Sequence, residues 1–344
     1  MGTNLTKRTM PSLKDVASAA GVSVTTVSRL VNGSLDLPYH TKKRIEDAIK
    51  SLNYIPNPHA RRLSMGRSDT IGLVVPEIAN PFFSTFVAAV EQAADTKKLA
   101  VSLHATLNRA GREVEYLQLI ERNHVDGLIF ITNHPDDGTL ANLINRSSKV
   151  VVVDEDIPGS KAPKLFCDND HGGYLAGVHL AEHGHMHVLF VGGDERMISA
   201  RRRYDGLARA LRERTAGLAR VDRYAGEYTV DYGREAALRF LEERHGATAI
   251  FASSDEIAIG LLEVFKDQGV SVPDDVSMVG FDDVGPLHLF APPLTVIRQP
   301  VRQLGSRALE LLLETNWQEW KPSASEELLP VEIVVRNSVA PPAK

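Results

Sequence analysis

The sequence predicts an α/β body of two similar lobes preceded by a small all-helical unit, and three observations carry that expectation. Near the N-terminus two short amphipathic helices are joined by a glycine. From Thr70 onward apolar strand runs alternate with helical stretches, in two successive series, and the charge of the chain divides at nearly the same place. Its 344 residues suffice for two or three domains, and 43% hydrophobic with 24% charged residues is an ordinary soluble globular composition.

The helical pair spans Ser12 to Asn32. Ser12 followed by Asp15 has the form of a capping box, and Leu13, Val16, Ala17 and Ala20 fall at i, i+3, i+4 and i+7, giving one apolar face. Gly21 permits a sharp turn, Ser23 caps a second helix with Val27, Leu30 and Val31 inward, and Asn32-Gly33 supplies a left-handed stop. This is a helix-turn-helix pattern whose outer face keeps Thr25, Ser28, Arg29 and Asn32, with Val24 at its edge. Short hydroxyl side chains let such a helix lie close to phosphates, Arg29 can meet a guanine edge in bidentate fashion, and Val24 can touch a thymine methyl. Two helices packed in a small bundle without any nucleic-acid role satisfy the same periodicity.

Ile45, Ala48, Ile49 and Leu52 repeat at helical spacing in a third helix that can close a miniature core, with Lys42, Lys43 and Arg44 near its start. Asn57-Pro58 then opens a short helical segment containing His59-Ala-Arg-Arg-Leu63, which stops near Gly66 and needs a partner or DNA to become ordered.

In the body, Ile71-Gly-Leu-Val-Val, Gly127-Leu-Ile-Phe-Ile and Lys149-Val-Val-Val-Val-Asp read as buried parallel strands, separated by helical stretches such as Phe82 to Lys98 and Arg112 to Asn123. A second series follows at His187, Thr248 and Val276, with helices near 199–214, 230–244 and 255–268. Ligands of parallel α/β sheets bind beyond the carboxyl ends of strands, where Asp154, Gly192-Gly193, Asp255 and Asp282 fall, so a cleft between the lobes is the expected small-molecule site.

Residues 1–67 carry 11 Lys and Arg against 4 Asp and Glu, leaving 28 against 40 for the rest. The basic end is the helix-turn-helix end, which suits phosphate attraction there and an acidic body that repels nucleic acid. One cysteine, Cys167, excludes an internal disulfide and a zinc-finger spacing, and fits a reducing compartment. The N-terminus lacks an apolar signal core and no run approaches the ~18 apolar residues of a membrane helix, so a cytoplasmic protein without membrane association is expected.

Several motifs occur in a telling order: Leu13-Lys-Asp-Val-Ala with Gly21-Val-Ser and Thr26-Val-Ser-Arg29, Leu52-Asn-Tyr-Ile-Pro-Asn57, Ala60-Arg-Arg-Leu63, Ile71-Gly-Leu-Val-Val-Pro76 with Asn80-Pro-Phe-Phe83, Val272-Pro-Asp-Asp-Val-Ser277 with Val279-Gly-Phe-Asp-Asp283, and Arg298-Gln-Pro300. With them the whole chain resembles the LacI/GalR family of transcriptional regulators. The resemblance implies a DNA-binding headpiece at 11–56, a hinge helix and linker at 57–68, and an effector-binding and dimerisation core at 69–344 like a periplasmic sugar-binding protein. Its first lobe would be about 69–168 and 299–325, its second about 169–298 and 326–344. Operator contacts are implied for Val24, Thr25, Thr26, Ser28, Arg29, Asn32 and Arg61, with Leu63 pushed between base pairs of the minor groove, once from each subunit of a homodimer.

For the effector, the resemblance assigns Phe82 and Phe83 to the lining of the cleft, Arg203, Asp255 and Asp282 to polar contacts, and Tyr228 to stacking. This set suits a sugar, whose ring face stacks on an aromatic while hydroxyls bridge Asp and Arg; a nucleobase or phosphorylated metabolite is the alternative. Two departures stand out. Leu37-Pro-Tyr-His40 replaces the usual serine cap of the third helix, leaving the capping bond absent or moved to Thr41, and the C-terminus lacks the leucine heptads a tetramer would use, so a dimer is expected.

No cofactor, enzymatic activity or metal site is expected. His179, His183, His185 and His187 cluster in sequence, but the change from helix to strand at Gly184-His185 fans the rings apart. No phosphate-binding glycine loop and no Gly-x-Ser-x-Gly nucleophile elbow occurs. A solute-binding protein or sugar-active enzyme on the same body leaves the basic helix-turn-helix and hinge unexplained.

Overall fold

The first two described helices of the N-terminal unit form around local caps that the sequence supplies. The structure, a computed structural model, describes residues 11–31, 35–54, 68–119, 124–146, 149–317 and 326–342, and the chain divides into a unit 1–68 and a unit 69–344. Helix α1 (Leu13–Ala20) begins with a complete capping box, Ser12 N–H donating to Asp15 Oδ2 at 2.8 Å and Asp15 N–H to Ser12 Oγ at 3.3 Å, and stops at Gly21 with φ 62°. Ser23 Oγ accepts from Thr26 N–H at 3.1 Å at the head of α2 (Val24–Val31). Helix α3 (Tyr39–Leu52) starts after Pro38 with no side-chain cap, so the bond expected from serine is absent and Thr41 does not replace it. Packing takes over: Val16, Ala17, Ala20, Val27, Ile45 and Ala48 form a buried cluster, and Arg44 Nη2 ties α3 to the end of α1 through Ala20 O at 2.7 Å.

The second unit runs β1 (Thr70–Val75), α4 (Pro81–Thr96), β2 (Ala100–Ala105), α5 (Ala110–Leu117), β3 (Gly127–Phe130), α6 (Thr139–Arg146), β4 (Val150–Val153) and β5 (Lys164–Cys167) through a first lobe. A second lobe follows with α7 (Asn169–Glu182), β6 (His187–Gly193), α8 (Ile198–Arg214), β7 (Arg220–Gly226), α9 (Val230–Glu242), β8 (Ala249–Ala252), α10 (Asp255–Gln268), β9 (Ser277–Asp282) and β10 (Thr295–Arg298). The chain returns with α11 (Val301–Glu314) and β11 (Glu326–Leu329) to the first lobe and ends with β12 (Glu332–Val334) in the second. The sheets have the orders β11-β5-β4-β3-β1-β2 and β12-β10-β9-β8-β6-β7, all parallel except the antiparallel β10–β12 pair.

This moves one expected boundary. Glu326–Leu329 pairs with Lys164–Cys167 in the first sheet, so the last segment of the second lobe starts near 330, not 326. The short strand Glu-Glu-Leu-Leu has no strong periodicity, and its partner strand, not its own sequence, decides its lobe. The central strands are apolar because parallel sheets are covered on both faces: β3, β4 and β8 are buried throughout, whereas the edge strands β2 and β7 are partly exposed.

Helices α7 and α8 approach backbone to backbone. A Cβ on Gly173 would lie 2.0 Å from Arg203 O, and one on Gly206 2.0 Å from Asp170 O, so neither position accepts a larger residue without separating the pair. That contact sets the position of Arg203.

Candidate functional site

The carboxyl ends of both sheets converge on a pocket lined among others by Phe82, Phe83, Asp154, Arg203, Tyr228 and Asp282. Asn80 Oδ1 accepts from Phe82 N–H at 2.8 Å and Pro81 occupies the first turn, so α4 starts where its two phenylalanines meet the cleft. The rings pack edge to face at 5.3 Å and are 6% and 4% exposed, so both serve the core as well as the pocket wall.

Arg203, buried on α8, donates from Nε to Asn169 Oδ1 at 2.8 Å and from Nη1 to Ser253 O, and its guanidinium lies 3.7 Å from the centre of the Phe281 ring. Among the described residues no hydrogen bond is made by Nη2, which leaves that nitrogen to a ligand. Asp154 directly follows β4 and Asp282 ends β9, one in each lobe, and both take left-handed backbone, φ 70° and 96°, with both residues lining the cleft. Gln299 Nε2 donates to Asp282 Oδ1 at 2.6 Å. Burial pushes the Asp282 carboxyl up against the pull of Arg203, and burial pushes Asp154 to about 7, again opposed by Arg203. No group among the described residues hydrogen-bonds the Asp154 carboxylate, which makes it the least satisfied acid of the pocket. Glu155 beside it is satisfied from the other lobe, accepting from Ile198 N–H at 2.7 Å, Ser199 N–H at 3.2 Å and Ser199 Oγ at 2.6 Å, where the N-terminus of α8 favours an anion.

Asp255 departs from expectation. Its Oδ1 accepts from Asp283 N–H at 3.2 Å and its Oδ2 from Val284 and Gly285 N–H at 2.9 and 2.7 Å, so it fixes the turn after β9 and does not line the pocket; Ser254 does. Three backbone donors already engage this carboxylate. Tyr228 lines the cleft, packed over Gly193, and burial raises its phenol. Residues that the sequence reading did not assign include Asn80, Asn133, Glu155, Ser199 and Gln299; Asp154 was visible as a strand-end acid but not placed among the gripping residues.

On the helix-turn-helix, Val24 is 43% exposed, Thr25 and Arg29 are exposed and Ser28 is half-buried. Thr26 differs, because its hydroxyl lies 2.7 Å from Ser23 Oγ in the helix cap, so less of it is free to meet a groove. Asn32, Arg61 and Leu63, and with them almost all of the hinge, lie outside the described residues. In the histidine run, the His179 and His183 rings pack at 4.4 Å with their planes tilted by 54°, His185 turns to Thr248 Oγ1 at 2.9 Å, and His187 leaves the run to meet Asp222.

A helix-turn-helix unit followed by a two-lobed cleft defines a ligand-responsive DNA-binding regulator. Residues 12–57 match the bacterial regulatory proteins of the lacI family, and residues 178–339 a periplasmic binding protein-like domain. The transcriptional repressor PurR of Mannheimia succiniciproducens is 34% identical over 96% of this chain and 99% of its own. The lac repressor dimer bound to operator and the anti-inducer ONPF superposes with a TM-score of 0.81 at 29% identity, covering 96% of this chain and 100% of that one. A LacI family transcriptional regulator from Enterococcus faecium with bound ribose gives 0.69 at 29% identity, covering 79% and 99%. The chain belongs to the lacI family of bacterial regulatory proteins. It is a DNA-binding transcriptional regulator of the repressor class and not an enzyme, and no described helix is long and apolar enough to cross a membrane.

Proposed function

We propose that this repressor acts as a homodimer on a nearly palindromic operator in the cytoplasm and is controlled by a neutral, polyhydroxylated effector of the sugar class bound between the lobes. The observation that carries the effector class is the charge of the pocket. Asp154, Glu155 and Asp282 face one arginine, so a phosphorylated metabolite would set its charge beside three acids whose own ionisation burial already opposes, with a single cation to offset it. Neutral hydroxyls suit it better, since they donate to Asp154 and Asp282 and accept from Arg203 Nη2, while Phe82, Phe83 and Tyr228 offer apolar surface to a ring face. The ribose bound by the Enterococcus faecium regulator supports the same reading.

A thermal-shift screen against sugars, sugar acids, sugar phosphates and purines tests it, because a ligand of the native state raises the melting temperature by mass action. A neutral sugar is expected to stabilise and to change operator affinity in a gel shift, with reciprocal linkage between the two ligands. Stabilisation by a purine or a sugar phosphate alone would overturn the effector assignment and leave the DNA-binding role intact.

A further inference from the structure

At the end of the second lobe's sheet away from the cleft, three metal-binding side chains converge from different parts of the chain. His187 opens β6, Asp222 lies on the neighbouring β7, and His245 sits in the turn between α9 and β8. His187 Nε2 and His245 Nε2 approach the same oxygen, Asp222 Oδ2, at 2.8 and 3.1 Å, and the three ligand atoms all lie within 4.8 Å of one another. Donors ~2.0–2.1 Å from an ion and ~90–109° apart around it stand about 2.8 to 3.4 Å from each other, so both observed nitrogen–oxygen edges fit one coordination shell.

The supporting contacts orient the same atoms. Arg220 Nε holds the other oxygen, Asp222 Oδ1, at 2.8 Å, which directs Oδ2 to the imidazoles. The His245 ring stacks on Phe240 at 5.6 Å and meets Tyr224 edge-on at 5.8 Å, while His187 is carried by a regular strand. Side-chain exposures of 22%, 22% and 10% for His187, Asp222 and His245 leave the group reachable from solvent without leaving it loose.

We propose that His187, Asp222 and His245 bind a divalent transition ion of borderline softness, zinc being the natural occupant, with the remaining coordination positions filled by water. Two imidazoles and one carboxylate without a thiolate suit such an ion better than a soft monovalent one or an all-oxygen ion such as magnesium. Binding needs the Nε2 lone pair of each ring, so a neutral ring carries its proton on Nδ1; at His245 this gives up the Ala247 N–H bond to Nδ1, 3.2 Å long, and the two contacts with Oδ2 become bonds to the ion. The bound ion ties the edge strand β7 to β6 and to the end of α9. It stiffens the second lobe from outside the effector pocket.

Isothermal titration of the untagged full-length protein with zinc chloride, after dialysis against chelator, tests the assignment. One zinc per chain is expected, with a chelator-reversible rise in melting temperature. His187→Gln and His245→Gln should each weaken binding at least tenfold, whereas His179→Gln should leave it unchanged. Should the variants fold poorly, cobalt added to the wild-type protein should give visible d–d absorption that zinc displaces mole for mole. The proposal is overturned if the wild type takes up no stoichiometric zinc, if cobalt gives no such bands, if His245→Gln binds as wild type, or if His179→Gln alone abolishes uptake.

Discussion

Replacing Asp154 by asparagine should remove a pH dependence from effector binding that the wild-type protein possesses. Its carboxyl faces the cleft without a hydrogen-bonding partner among the described residues, and burial raises it to about 7. A sugar hydroxyl donating to it favours the ionised form, so binding lowers this pKa and expels a proton. With a free-protein value of about 7, roughly a tenth of the molecules are ionised at pH 6 and nine-tenths at pH 8, so affinity should rise about tenfold between them and level off above. Asparagine keeps an acceptor but not the charge; exchanging a charged for a neutral hydrogen bond loses about 1 kcal/mol, roughly fivefold in affinity at pH 8. Calorimetry at pH 6, 7 and 8 in buffers of different ionisation enthalpy reads both the affinity and the proton count, with the sugar identified by thermal shift. A wild type whose affinity is flat across this range, or an Asp154→Asn protein that keeps the tenfold rise, would refute the reasoning and return the pH dependence, if any, to Asp282 or Asp255.

Asp255→Ala should cost about 3 kcal/mol of stability in urea unfolding, because three backbone donors at 283–285 lose their acceptor; unchanged stability with weakened effector binding would restore a direct gripping role. Without effector, stability should fall by about 1 to 2 kcal/mol from pH 6.5 to 8. Asp154 and Asp255, both raised to about 7, hold protons in the native state that the unfolded chain has already lost, and that advantage disappears as pH passes 7. Urea midpoints across the range check the sign. Arg29→Ala should weaken operator binding by about 1 to 3 kcal/mol and relax base choice at one position per half-site, whereas equal losses on operator and random DNA in gel shifts would mean phosphate contact only. Gly173→Ala should destabilise the second lobe by about 2 kcal/mol in thermal unfolding, since its methyl would meet the Arg203 carbonyl, and a wild-type melting curve would show that α7 and α8 can separate freely.

The architecture was legible because its signals are local. The apolar spacing of Leu13, Val16, Ala17 and Ala20, the capping box of Ser12 and Asp15, and runs such as Val150–Val153 each specify an element without help from distant residues. Arg203, Phe82 and Phe83 were placed in the cleft by family motifs and do line it. The turn contacts of Asp255 are not legible in sequence, because whether a carboxylate meets backbone donors depends on where 283–285 folds back, and that is a tertiary fact. The same holds for Glu155, whose partners on α8 come from the other lobe, and for β11, whose lobe is fixed by its neighbour β5. The group of His187, Asp222 and His245 was hidden for the opposite reason. Four histidines close in sequence drew attention to themselves, while the one that meets other ligands does so with residues 222 and 245.

The close contact of α7 with α8 has a mechanical consequence. Where side chains separate two helices, rotamer changes can absorb a small displacement; here the Gly173 and Gly206 contacts leave no such cushion, so a tug on Arg203 moves both helices as one beam. That beam begins at Asn169, and the residue before it, Asp168, caps α7 through His171 N–H while its own N–H reaches Leu329 O on another strand crossing between the lobes. Asp168 is thus a fulcrum shared by two of the connections. A ligand drawing Arg203 by a fraction of an ångström would be felt there as rotation, and the glycines are what keep the lever from bending.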